Sequence, residues 1–150
     1  MIDTIDATER EERGWGVAAH LSALVAVAGI PFGHVVGPLV VYLINNGKRP
    51  FATEHAKSSL NFQITLSIGI VLLVIALIVA WFGVFAAAIA ASNGDSSNAQ
   101  LPPGAMVGLF GVAALFIFGG IGSLVCVILG AVAASQGRPY RYPFAINFIK

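Results

Sequence analysis

The chain is poor in charge and nearly free of cysteine. Only 10% of its 150 residues are Asp, Glu, Lys or Arg, against about a quarter in an ordinary soluble domain. Cys126 is its one cysteine, which excludes a disulfide framework and a cysteine-built metal site. The net charge of +1 excludes a nucleic-acid binder that works through a basic surface. There is no His-Glu-x-x-His pair, no glycine-rich phosphate loop and no Gly-x-Ser-x-Gly elbow, so no familiar hydrolase or nucleotide signature is present.

What the chain does have is apolar length. It is 57% hydrophobic, with a mean hydropathy of +0.87, and its apolar residues come in long runs. This predicts a single-domain, all-α integral membrane protein in contact with a lipid bilayer. Residues 1–14 form an acidic tail, with Asp3, Asp6, Glu9, Glu11 and Glu12 against Arg10 and Arg13. A secretory signal needs a basic start and a small-residue cleavage site, and neither is seen, so the first apolar segment is expected to stay. Thr8 and Glu11 have capping-box spacing, which places a helix start near Glu9.

From Trp15 to Ile44 the apolar run is broken at Gly29-Ile30-Pro31-Phe32-Gly33 and again at Pro38. One kinked span and a hairpin of two short helices, about 15–29 and 34–45, both fit. Charge placement favours the hairpin. It puts the N-terminal tail, the segment 45–57 and the C-terminal tail on one face, so that all eight Lys and Arg residues share the cytoplasmic side. Four membrane segments follow (about 15–29, 34–45, 54–91 and 105–135), with both termini cytoplasmic in a prokaryotic inner membrane. The first two segments are shorter than the roughly 20 residues of a full span. The polar stretch 92–104, rich in Ser, Asn, Gly and Pro, reads as an outward loop. In 136–150, Pro139 is expected to end the last helix. Tyr140, Tyr142, Phe144 and Phe148 alternate with Arg138, Arg141 and Lys150, as in a tail lying in the headgroup layer.

Gly122, Cys126, Gly130 and Ala134 recur every four residues in the last segment, and Gly33 and Gly37 repeat the spacing in the second. Small residues at that interval make a helix face that another backbone can approach, for internal packing or for a homo-oligomer. The polar candidates for chemistry are few. His20 is an ionisable group inside an apolar arm, with a hydrogen bond to a neighbouring helix as its commoner role. His34 precedes Pro38 by four residues, and the carbonyl that Pro38 leaves free could join the His34 ring in holding water or a cation. Glu54, His55 and Lys57 stand close together ahead of Asn61 and Gln63; a Glu54–Lys57 pair and helix-to-helix bonding by the amides are the default roles. Arg141 completes the set in the tail.

Trp15, His20-Leu21-Ser22-Ala23-Leu24, Gly37-Pro38-Leu39, Glu54-His55-x-Lys57 leading to Leu60-Asn61-Phe62-Gln63, and Tyr140-Arg141-Tyr142-Pro143 with Phe148-Ile149-Lys150 form a combined pattern. It resembles an uncharacterised prokaryotic membrane family grouped with the Tic-twenty-like proteins, named after a component of the chloroplast inner-envelope translocon. The resemblance implies a four-segment membrane fold and carries over no catalytic residues. Together these readings predict a non-catalytic membrane subunit or scaffold, without cofactor or metal, with membrane-protein partners and a role in protein translocation or insertion. A small-solute or ion channel using the broken first hairpin is the alternative, and an intramembrane enzyme comes last.

Overall fold

A computed structural model of the protein describes residues 2–92, 100, 102 and 104–150. Its elements are α1 (Ile2–Leu21), a 3₁₀ segment (Ser22–Ala28), α2 (Gly33–Asn45), α3 (Pro50–Ala91) and α4 (Gly104–Ser135). No strand occurs among the described residues, so the all-α expectation holds. The expected loop 92–104 lies mostly outside the described residues. The chain divides into two compact units, one comprising Met1–Ser67 with Ser123–Lys150 and the other Ile68–Gly122.

The first unit carries nearly all the polar chemistry. Its first helix begins at Ile2, not near Glu9, so Thr8 and Glu11 mark no helix start. Charged neighbours one turn apart support this early stretch: Arg13 pairs with Glu9 at 3.2 Å, and Arg10 Nε donates to the Asp6 carbonyl at 3.2 Å. The acidic segment therefore packs as part of α1. Glu11 pairs with Arg49, and Glu12 Oε2 accepts the backbone N–H of Ala52 at 3.0 Å. That N–H is one of the unpaired donors of the first turn of α3, so α1 caps α3 with a carboxylate at the positive end of its dipole. The cap helps to explain why α3 starts at Pro50, a residue suited to the first helical position, and not at 54. Arg49 also lies 5.7 Å from the centre of the Trp15 ring.

The break at residues 29–33 is a reversal. Gly29 closes the 3₁₀ segment with φ +83°, a conformation open to glycine at little cost, and α2 returns along that segment. A Cβ on Gly37 would stand 2.1 Å from the Ser22 carbonyl oxygen, and one on Gly33 would stand 2.8 Å from the Ala26 nitrogen. The two backbones thus meet at distances that no side chain allows. Pro38 is buried inside α2 without ending it.

The end of α4 differs from the expected stop at Pro139. The helix closes at Ser135 in a Schellman turn: Gly137 has φ +69°, its N–H bonds the Ala134 carbonyl, and the Arg138 N–H bonds the Ala133 carbonyl at 2.9 Å. The last residues then dock on the start of α3. Asn61 acts as a surrogate backbone, its Oδ1 accepting from the N–H groups of Phe148 (3.1 Å) and Ile149 (2.9 Å) and its Nδ2 donating to the Ile149 carbonyl at 3.1 Å. Ser58 Oγ donates to the Tyr140 carbonyl, and Thr65 Oγ1 accepts from Ile146. Tyr142 is only 5% exposed and stacks on Phe62 at 4.1 Å, so it is a core residue and not an interfacial aromatic. Phe62, Tyr142, Ala23 and Val127 form one buried cluster.

The second unit is apolar and outward-facing. Along its part of α3, Leu72, Val79 and Phe82 are more than 60% exposed, as are Phe110 and Phe118 of its part of α4. In water such surface would drive aggregation, whereas in hydrocarbon it is the natural covering. Both α3 and α4 are long and apolar enough to cross a membrane. Of the expected four segments, α3 and α4 have this length among the described residues; the apolar run in α2 has 13 residues and the first half of α1 is charged, so four spans are not shown.

Candidate functional site

Four elements of the first unit meet around His20. The imidazole is fully buried near the end of α1. His20 Nδ1 lies 2.8 Å from the Tyr142 hydroxyl and its Nε2 lies 2.8 Å from His55 Nδ1 on α3. The fourth wall is α4 at Gly130, where a Cβ would stand 2.7 Å from His20 Nδ1. Glycine is therefore required at 130 for the ring to fit. Tyr140 closes a further side, edge-on to His20 at 5.9 Å and to Tyr142 at 5.0 Å, and Phe51 packs on His55 at 4.4 Å.

The two hydrogen bonds restrict the protons. A neutral imidazole has one N–H and one bare nitrogen, so His20 donates at one end and accepts at the other. Burial pushes the Tyr142 phenol well above its usual value, with the Ser59 hydroxyl opposing and Tyr140 adding to the rise, so Tyr142 keeps its proton. The arrangement that uses it runs from Tyr142 O–H to His20 Nδ1, and from His20 Nε2–H to His55 Nδ1. His55 Nε2 is then the outer proton; it is buried beside the backbone of Arg138 without a well-formed bond. Burial also raises the Tyr140 phenol, followed by the Cys126 thiol at its side. The chain of hydrogen bonds is a neutral clamp that joins α1, α3 and the tail. Glu54, one residue before His55, points outward with a 71% exposed side chain and pairs with Lys57 at 2.8 Å.

The other candidates divide between the clamp and a second feature. Glu54, His55, Lys57, Asn61 and Arg141 line one cavity of about 580 Å³ between the start of α3 and the tail. Asn61 bonds the tail and not the short arms, while Gln63 is buried and its carbonyl accepts from Ser67. His34 is separate: its Nε2 lies 2.9 Å from Ser67 Oγ. Because the Ser67 hydroxyl proton goes to Gln63, His34 Nε2 is the donor in that contact. Among the small residues, Gly130 faces His20 and Ala134 faces Gly16, with 3.2 Å between the Ala134 Cβ and a Cβ built at 16. Cys126 is half-buried against the Phe62 cluster, and Gly122 has open space around it.

Sequence reasoning missed Tyr142 and Tyr140 as partners of His20. The one available signal was that a buried His20 needs a donor or acceptor at each nitrogen, and the tail offered two phenols two residues apart. No three His, Cys, Asp or Glu side chains come together as a metal site among the described residues.

Comparison with known proteins corrects the resemblance drawn from the sequence. No curated protein and no solved structure matches the chain. The family model that matches is not a Tic-twenty-like one, which removes the translocon analogy and the role in protein translocation that it implied. The match covers residues 11–149, and so includes α2, α3, α4, the His20 clamp and nearly the whole tail. The chain belongs to the MamF/MmsF family, the magnetosome magnetite crystal formation protein family.

Proposed function

We propose that this protein is a non-catalytic, multi-pass protein of the magnetosome membrane that serves magnetite crystal formation as a scaffold. The observation that carries this reading is the family match over residues 11–149. The exposed apolar faces of α3 and α4 supply the anchor, and the clamped first unit supplies a body on which membrane-protein partners or further copies assemble. Its polar interior supports a structural role, since both nitrogens of His20 and Nδ1 of His55 are engaged in internal hydrogen bonds and Glu54 in a surface ion pair.

The finer topology is part of the same proposal. The α1–α2 hairpin accompanies the two long helices, and both termini face the cytoplasm. In support, the basic residues fall in one unit. Arg49 meets Glu11 of α1, the Arg13 guanidinium lies 3.1 Å from where a Gly137 Cβ would be, and the tail with Arg138, Arg141 and Lys150 docks on α3 beside Lys57. The test is membrane-impermeant thiol labelling of isolated, intact magnetosomes, on a Cys126→Ala background, with Lys48→Cys and Ser97→Cys. Lys48→Cys, on the outer face of the organelle, is expected to react and Ser97→Cys to be protected until the membrane is opened. Protection of Lys48→Cys, or labelling of Ser97→Cys before opening, overturns the topology. Release of the chain from isolated magnetosome membranes by alkaline carbonate overturns the integral anchor.

A further inference from the structure

The cavity between α3 and the tail adjoins the clamp, and His55 and Tyr142 form part of its wall. Lys57, Arg141 and Lys150 line it, together with the amides of Asn61 and Asn147, and Glu54 is its one acid. Glu54 is already held by Lys57. Arg141 and Lys150 are exposed and pair with no acidic side chain among the described residues, so the cavity offers two cationic side chains open to an anion. Its volume is that of an ordinary small-ligand site.

Position specifies the ligand further. The cavity is built on residues 50–61 of α3, and the strongly exposed apolar surface of the same helix starts at Ile68, about two turns later. That is the depth of the headgroup layer for a helix whose apolar run lies in hydrocarbon. The tail adds an independent sign. Phe144 follows Pro143 with φ +60°, a costly conformation for an aromatic residue, and its side chain is 96% exposed; Ile146 is 56% exposed. Bare apolar side chains alternating with cations match a segment that meets lipid.

We propose that this cavity binds the phosphate headgroup of an anionic phospholipid, with Arg141 and Lys150 on the phosphate oxygens and Phe144 and Ile146 entering the acyl layer. Arginine suits the task because its planar fork meets two phosphate oxygens at once. The inference rests on the membrane placement proposed above but not on the role in crystal formation.

The test uses the full chain in nanodiscs of phosphatidylcholine containing about a tenth phosphatidylglycerol, with retained lipid read by native mass spectrometry. Wild type is expected to retain phosphatidylglycerol over phosphatidylcholine by roughly tenfold to thirtyfold relative to the disc, the preference that two headgroup-contacting cations supply. The pair Arg141→Gln with Lys150→Gln should bring this to about parity without changing the melting temperature, and Arg141→Lys should keep most of it. Equal retention of the two lipids by wild type, or an undiminished preference in the double variant, overturns the proposal. A second arm adds inorganic phosphate: displacement of the lipid by millimolar phosphate would make the site one for free phosphate and overturn the lipid source. A chain that fails to enter the discs at all would instead overturn the membrane reading.

Discussion

His20 is held by a phenol, an imidazole and a glycine contributed by three other segments, and each contact makes a different demand on its residue. Tyr142→Phe keeps the stacking on Phe62 but leaves His20 Nδ1 buried without a partner. The expected cost is about 1–3 kcal/mol, read as a lower midpoint of unfolding in detergent. Gly130→Ala drives a methyl group into the ring and should cost about 1–3 kcal/mol, whereas Gly122→Ala meets open space and gains up to about 1 kcal/mol of helix propensity. Equal effects of the two alanines would contradict the clamp geometry. The pH dependence follows from Tyr142. Its folded-state value is raised above the ordinary 10.0, so the proton is held more tightly in the folded chain. This stability is complete below about pH 10 and is lost as pH rises toward the folded-state value. Melting curves should therefore fall more steeply with alkali in wild type than in Tyr142→Phe. His20 stood out in the sequence as an ionisable residue in an apolar arm, but its partners did not, since they lie 35 and 122 residues away and no local periodicity connects them.

At the scale of elements, the hairpin depends on bare backbone. Gly37→Ala places a methyl group 2.1 Å from the Ser22 oxygen, a clash with backbone that a rotamer change cannot relieve. The expected loss is at the upper end of about 1–3 kcal/mol, with exposure of the Ser22–Ala28 segment seen as faster hydrogen exchange. Glu12→Ala removes the carboxylate cap on α3 and should cost about 1 kcal/mol, while Glu9→Ala, which loses only a surface pair, should cost a few tenths. The reversal at Pro31 and the apolar lengths of α3 and α4 were legible in the sequence because glycine, proline and unbroken hydrophobic runs act locally. The early starts of α1 and α3 were not, because they depend on each other: the acidic residues read as a tail are the partners of Arg49 and Ala52. The docking of the tail was missed for the same kind of reason. Aromatics alternating with cations read as a headgroup-layer segment, and nothing local announces that Asn61, a helix residue 87 positions earlier, also bonds the backbone of that segment.

For the whole molecule, composition established the membrane class and gave no process. Charge, hydropathy and spacing are shared by any small multi-pass protein, and the quoted motifs were assigned to the wrong family. Membership of the magnetosome magnetite crystal formation family gives the chain a setting that its chemistry alone did not. On the function proposed above, the two long apolar helices are its anchor and the polar body clamped by Tyr142, His20 and His55 is its scaffold. The most direct measurement is electron microscopy of magnetite crystals in cells lacking the chain, re-expressing wild type, or re-expressing Gly130→Ala at matched abundance. The account predicts that loss changes crystal size, number or habit without slowing growth, that wild type restores them, and that Gly130→Ala restores them incompletely. Crystals identical in cells with and without the chain would contradict it.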